Sequence, residues 1–230
     1  SPSNPKIVLS LGLSLEYGGF IKEAEKKYKE CLLLDPDYAA ALNNLGHLLE
    51  KAGQSHEAFS ILNDAHNIHP LDDNISLNLA NVFLSLGMPS ETENLIRNPQ
   101  SSAAFNSLGI AKYVQRDWPN AEKFFRKALN IDPNFAGAHE NLALTLFHIG
   151  DFNSGWNEYD WRWKNTENQL TKLNFQGPIW DGNALKEKTL LLYSEQGFGD
   201  TIQFVRFAGL INKCKGKILL MCHAKLTDLL

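Results

Sequence analysis

Apolar residues recur at helical spacing through most of the first 165 residues, and the pattern repeats itself. The block LGLSLEYGGFIKEAEKKYKECLLLDP (11–36) lines up with LGHLLEKAGQSHEAFSILNDAHNIHP (45–70) and with LGIAKYVQRDWPNAEKFFRKALNIDP (108–133). Leu-Gly opens each block, Ala24, Ala58 and Ala121 stand at the fourteenth place, and Pro36, Pro70 and Pro133 close it. The first two blocks are 34 residues apart. Gly12, Gly46 and Gly109 admit a neighbouring helix where a side chain would clash, and the alanines do the same from the opposite side. Each closing proline stops a helix, because it lacks an N–H and disfavours helical geometry at the preceding residue. The pattern therefore predicts pairs of antiparallel helices.

These blocks resemble the tetratricopeptide repeat, whose unit is such a pair. On that frame repeats begin at residues 5, 39, 73, 102 and 136. The third is five residues short: Leu79-Ala80 takes the Leu-Gly place, Gly87 marks the inter-helix turn, and Pro99 comes early. Its second helix is expected over Pro89–Asn98, with a kink or cavity in the superhelix there. In the fifth repeat Trp156, Tyr159 and Trp163 fall on one helical face and are expected to be core.

The resemblance implies that the first helix of each pair lines a concave groove. The sixth place of successive repeats is Ser10, Asn44, Asn78, Ser107 and Asn141, with Asn43, Asn81 and Asn106 nearby. A carboxamide donates and accepts, so a row of Asn can pair with an extended peptide backbone without reading its side chains. The row is similar, in part, to the asparagine ladder of the O-linked N-acetylglucosamine transferases, with Ser at two of five places. The alternative is that these Asn tie adjacent helices together or face water. A carboxylate clamp is disfavoured by Leu9, Leu13, Leu77 and Ile110 at neighbouring groove places. His47, His66 and His69 lack the company a metal site needs; His66 and His69 suit a helix C-terminus instead.

After about Thr166 the periodicity fails, and 166–185 reads as a connecting loop. KTLLLYS and GKILLMC are short apolar runs expected as strands buried on both faces of a parallel sheet. DTIQFVRFAGLINKC between them has helical spacing, and AKLTDLL begins another helix. The expected fold class is mostly α: a tetratricopeptide solenoid of about five helix pairs over 1–165, then the linker, then an incomplete Rossmann-like α/β unit over 186–230.

The turn EQGFGD carries the candidate chemistry. It is neither a dinucleotide fingerprint nor a P-loop. By spacing alone, Asp200 reads as a helix N-cap. The stretch WDGNAL…LLLYSEQGFGDTIQFVRF resembles the junction in bacterial proteins that fuse such repeats to a GT-B glycosyltransferase similar to the lipopolysaccharide heptosyltransferases. That likeness implies that Asp200 is the base that deprotonates an acceptor hydroxyl, with Gly197 and Gly199 leaving room for substrate. It assigns Glu195 no role. It also implies that the nucleotide-sugar donor binds a second Rossmann domain, so that this chain alone transfers nothing. The alternative is a pure repeat adaptor with a structural α/β cap.

Composition narrows the classes. Lys and Arg number 22 against 26 Asp and Glu, a net charge of −4, which disfavours nucleic acid as a partner. Cys31, Cys214 and Cys222 fit no zinc spacing and suit a reducing cytoplasm. No apolar run approaches the roughly 18 residues that span a membrane. The start, SPSNP, suggests an internal fragment. No metal or cofactor is expected; the expected partner is a protein or peptide in the groove.

Overall fold

The structure is a computed structural model that describes residues 4–164, 177–195, 197–211 and 216–229. Cys214 and most of the expected connecting loop lie outside them. The chain divides into two compact units, Ser1–Asn165 and Thr166–Leu230.

The first unit is a tetratricopeptide-type solenoid. Its first helices are α1 (Pro5–Tyr17), α3 (Ala39–Lys51), α5 (Asp73–Ser85), α7 (Ser102–Val114) and α9 (Ala136–Ile149). They alternate with second helices α2 (Ile21–Leu34), α4 (Ser55–Ile68), α6 (Pro89–Leu95), α8 (Trp118–Ile131) and α10 (Phe152–Tyr159). The small-residue positions do what the repeat requires. A Cβ at Gly12 would stand 2.6 Å from the Tyr28 ring, one at Gly109 2.5 Å from Phe125, and one at Gly46 would overlap Leu62. Opposite them Ala24, Ala58 and Ala121 are fully buried.

Each inter-helix turn needs one residue with positive φ. Gly19, Gly53, Gly87 and Gly150 supply it in four repeats. In the fourth, Arg116 holds φ 63°, a left-handed conformation unfavourable to any residue with a Cβ.

The third repeat is shortened as its sequence indicates, and α6 ends at Leu95 rather than Asn98. Seven residues are two turns of helix, too few to cover a full first helix. The core breaks at this place. One cluster of buried residues runs from Val8 to Val82, and another joins Ala121, Phe125, Leu142 and Leu146. Between them Ala104, Leu108 and Ala111 are buried on α7 but belong to neither cluster, and Thr92, fully buried on α6, donates its hydroxyl to the Ala80 carbonyl at 2.9 Å.

The aromatic face of the fifth repeat differs from the expected stripe. Trp156 packs on Phe147, with ring centres 4.9 Å apart, yet is 60% exposed. At Asp160 the α-helix gives way to a 3₁₀ turn (Asp160–Trp163). Its three-residue winding moves Trp163 out of the α-helical register with Trp156. Trp161 stacks instead on His139, 3.9 Å between ring centres.

In the second unit, β1 (Thr189–Tyr193) and β2 (Lys217–Met221) pair in parallel, Thr189 opposite Lys217 through Tyr193 opposite Met221. The connection runs through α11 (Phe198–Val205) and α12 (Ala208–Ile211), two pieces where the spacing predicts one helix. A short 3₁₀ turn, Ala224–Leu226, stands where a further helix is expected. This two-stranded βαβ arrangement is less than a Rossmann-like unit. Its strands are not buried on both faces, since Leu219 and Met221 are exposed. A parallel strand is sheltered only when helices cover both sides of the sheet, and two strands with one crossover cover one.

Candidate functional site

Two places meet the sequence expectations: the row of polar residues on the first helices, and the glycine-acid loop after β1.

The polar row is stitched together. Asn78 Nδ2 donates to Asn43 Oδ1 at 2.8 Å, joining α5 to α3. Ser107 Oγ donates to Asn81 Oδ1 at 2.7 Å, joining α7 to α5. Asn141 Nδ2 donates to Asn106 Oδ1 at 3.0 Å, joining α9 to α7. Ser107, an apparent gap in the asparagine row, thus completes it. Asn44 is half-buried on α3 and takes no part in these bonds. The tying role is therefore real, but it uses one amide atom of each Asn. The other amide atoms of Asn43, Asn78, Asn81, Asn106 and Asn141 make no hydrogen bond among the described residues, and all five side chains are only half-buried.

Two further bonds run along the same helices, and the sequence reading missed both. Ser85 donates its hydroxyl to Glu50, whose second carboxylate oxygen is buried without a partner among the described residues. Tyr113 and His148 bond through hydroxyl and Nε2 at 3.0 Å, and Trp118 stacks on the His148 ring at 4.4 Å. A signal was present. Asn43–Asn78, Glu50–Ser85, Asn106–Asn141 and Tyr113–His148 are each 35 residues apart, one more than the 34-residue repeat. In these four pairs each residue meets the one after its equivalent in the next repeat, whereas across the shortened third repeat Asn81 meets Ser107, 26 residues on.

The histidines weighed as metal ligands have structural partners. His66 Nδ1 lies 3.2 Å from Ser76 Oγ, and His69 Nε2 lies 2.7 Å from the Asp37 carbonyl. No group of three or more potential metal ligands occurs among the described residues. His139 was not singled out from sequence. It is buried, with Nδ1 on the Glu158 carboxylate and Nε2 3.0 Å from the Pro133 carbonyl, so it ties α10 and the α8–α9 turn to α9. On α1 and α2, the Tyr28 hydroxyl donates to Glu16 at 2.5 Å, and burial followed by that bond raises its pKa well above the ordinary phenol value.

The loop after β1 corrects one reading of Asp200. The α-helix begins at Phe198 with Gly197 as N-cap, so Asp200 lies within the first turn and does not cap it. Its carboxylate is exposed at the positive end of α11. A Cβ at Gly197 or Gly199 would meet nothing within 4 Å. The Phe198 ring meets His223 edge-on at 4.7 Å. The residues following both strands therefore gather at the carboxyl edge of the sheet, where ligands of open α/β folds bind.

Residues 27–59 match the family model of the tetratricopeptide repeat. Protein FlbA of Caulobacter vibrioides is 22% identical over 236 aligned residues, which cover 84% of this chain and 40% of that protein. The likeness is longer than the repeat unit, so it extends into the second unit. A Hsp70-Hsp90 organising protein of Plasmodium falciparum is 29% identical over 116 residues, 48% of this chain and 46% of the relative. The chain thus spans less than half the length of either relative. Among solved structures, a thermophilic tetratricopeptide protein of Thermus thermophilus superposes with a TM-score of 0.64 at 16% identity, covering 72% of this chain and 93% of that one. No helix of the described residues is long and apolar enough to cross a membrane.

Proposed function

We propose that the repeat unit is a protein-interaction scaffold that holds an extended segment of a partner protein along its first helices. The observation that carries this reading is the stitched polar row. Each Asn is oriented by one bond to the next repeat and keeps its other amide atom for a ligand. Orientation before binding lowers the ordering cost of recognition. The Plasmodium relative, named for organising two other proteins, supports an adaptor role.

Selection from a random peptide library displayed against the chain tests this. Selected peptides should lose about tenfold in affinity for each of Asn81→Ala and Asn106→Ala, the equivalent of roughly 1.4 kcal/mol. Binding that is indifferent to both changes sinks the reading.

A second reading rests on the exposed carboxylate of Asp200 at the sheet's carboxyl edge. In it the chain belongs to a bacterial glycosyltransferase, with Asp200 as general base toward an acceptor hydroxyl, Gly197 and Gly199 beside the acceptor, and a nucleotide-sugar held by polypeptide outside this chain. The likeness to FlbA beyond the repeats supports a second unit that accompanies the repeats as a pair. Asp200→Asn in the full-length protein decides it. Asn keeps the size and polarity of Asp but accepts no proton, so sugar transfer at near-normal rate counts against a base role. A pure adaptor with the α/β unit as a structural element predicts no transfer by either protein.

A further inference from the structure

We propose that the amide row of the groove is stepped: it shifts by one helical turn at α5, and the partner segment it holds is an extended main chain that bends there. The proposal rests on the reading of the first helices as a peptide groove.

The register of the bonds between first helices carries it. Counted from the start of each repeat, the fifth residue of α3 bonds the sixth of α5, Asn43 to Asn78, and the twelfth bonds the thirteenth, Glu50 to Ser85. α7 and α9 follow the same rule through Asn106–Asn141 and Tyr113–His148. Residue numbers rise together on both helices of each pair, so the paired first helices run parallel. Between α5 and α7 the rule breaks. Ser107, a sixth residue, should face the fifth residue of α5, Leu77. It bonds Asn81 instead, four residues further on. Four residues rise about 6 Å, roughly one turn.

The length of α6 gives the cause independently. A second helix runs back along its first helix, and α6 has 7 residues where α4 has 14. The chain therefore turns into α7 before it has returned to the level at which α5 began. α7 starts further along α5, which is the direction in which Ser107 is displaced.

The side chains fit the step. On α7 the residues that bond backward and forward, Ser107 and Asn106, are neighbours and share one level. On α5 they are Asn78 and Asn81, about one turn apart. α5 thus carries a half-buried carboxamide at each level, one in line with Asn43 and one in line with Asn106 and Asn141. The first level leaves Nδ2 of Asn43 and Oδ1 of Asn78 unbonded. The second leaves Nδ2 of Asn81 and Asn106 and Oδ1 of Asn141. Each level therefore offers a donor and an acceptor, the complement of the C=O and N–H of a peptide main chain. A straight strand lies along one level and misses the other. From α3 to α9 are three interhelical spacings of about 9 Å each, the reach of roughly eight extended residues. The segment that fits has about that length and a bend near its middle, of the kind glycine or proline supplies.

Asn→Asp keeps the oxygen that accepts a stitch and removes the free Nδ2 donor. Asn43→Asp, Asn81→Asp and Asn106→Asp therefore each delete one groove donor while leaving the bonds between helices in place. Peptides selected from the random library are titrated against each variant by fluorescence anisotropy in about 0.5 M salt, where the added charge is screened. The expected result is that one and the same peptide loses about tenfold in affinity with Asn43→Asp and about tenfold with Asn106→Asp. Loss with Asn81→Asp and Asn106→Asp but none with Asn43→Asp describes a straight segment on one level. That overturns the step and leaves the groove reading standing. Loss with Asn43→Asp alone, or separate peptides that each answer to one level, overturns the step as well. Binding indifferent to all three variants overturns the groove reading itself.

Discussion

The two units spend similar sequence on different outcomes. In the solenoid, Tyr28, Leu62, Phe125 and Leu142 are fully buried, each held between helices of its own pair or the next. In the α/β unit, the buried apolar residues among those described are Leu185 and Leu226 alone, although KTLLLYS and GKILLMC each hold a continuous apolar run. A repeat carries its burial partner within about 34 residues, so it completes a layer locally. A parallel sheet draws its partners from distant crossovers, and until these are present its hydrophobic strands face outward. Apolar content therefore predicts burial only where the partner is close in sequence.

The sharpest way to break this comparison is to truncate one side chain from each unit. Phe125→Ala should cost about 3–5 kcal/mol, read as a large fall in the thermal midpoint followed by circular dichroism. Leu219→Asp in the second unit should change stability by no more than about 0.5 kcal/mol, as an exposed substitution does. Comparable losses would mean that the second unit has a core of its own.

Next in size is a pH effect confined to the solenoid. Tyr28 is buried and hydrogen-bonded to Glu16, so the folded chain holds its phenolic proton more tightly than the unfolded chain does. The stabilisation is complete below the ordinary tyrosine pKa of about 10 and is lost as the pH rises above it. The urea midpoint should fall between pH 8 and pH 11, and Tyr28→Phe should flatten that fall.

Arg116→Gly sharpens the comparison from the opposite direction, since it should stabilise the solenoid by about 1 kcal/mol by relieving a left-handed residue with a Cβ. Urea denaturation measures this gain, and its absence would mean that Arg116 is compensated by contacts a glycine cannot make. An effect of similar size is expected for Asn78→Ala, a loss of about 0.5–1.5 kcal/mol in the same measurement, because it removes the stitch to Asn43.

The solenoid was legible because its signals are local. Leu-Gly, the fourteenth-place Ala and the closing Pro each report a contact within one helix pair, and the shortening of α6 follows from the position of Pro99. What escaped depends on relations between repeats. Except across the shortened repeat, the groove bonds follow a spacing of 35 rather than 34, a stagger that no single repeat reveals. His139 escaped because its partners come from a turn before it and a helix after it.

In the second unit the elements were legible in type but not in extent. Asp200 suits an N-cap by residue type, yet Gly197 takes that position and starts the helix earlier. The break after Val205 has no glycine or proline at it to announce it. Of the candidate residues, the polar row was readable as a row. Which amide atoms it keeps for a ligand was not, because that depends on neighbouring helices.

The fifth repeat also bears on whether its parts are interchangeable. In the first, second and fourth repeats the hole is a glycine on the first helix and the knob is Tyr28, Leu62 or Phe125 on the second. In the fifth, Gly155 on the second helix receives Phe147 from the first, and an added Cβ would stand 2.5 Å from that ring. Knob and hole have changed sides. α9 and α10 are thus a matched pair, and a chimera that grafts α4 or α8 onto α9 would set the methyl of Ala58 or Ala121 against Phe147. The repeats share a pattern, but the last of them cannot trade components with the rest.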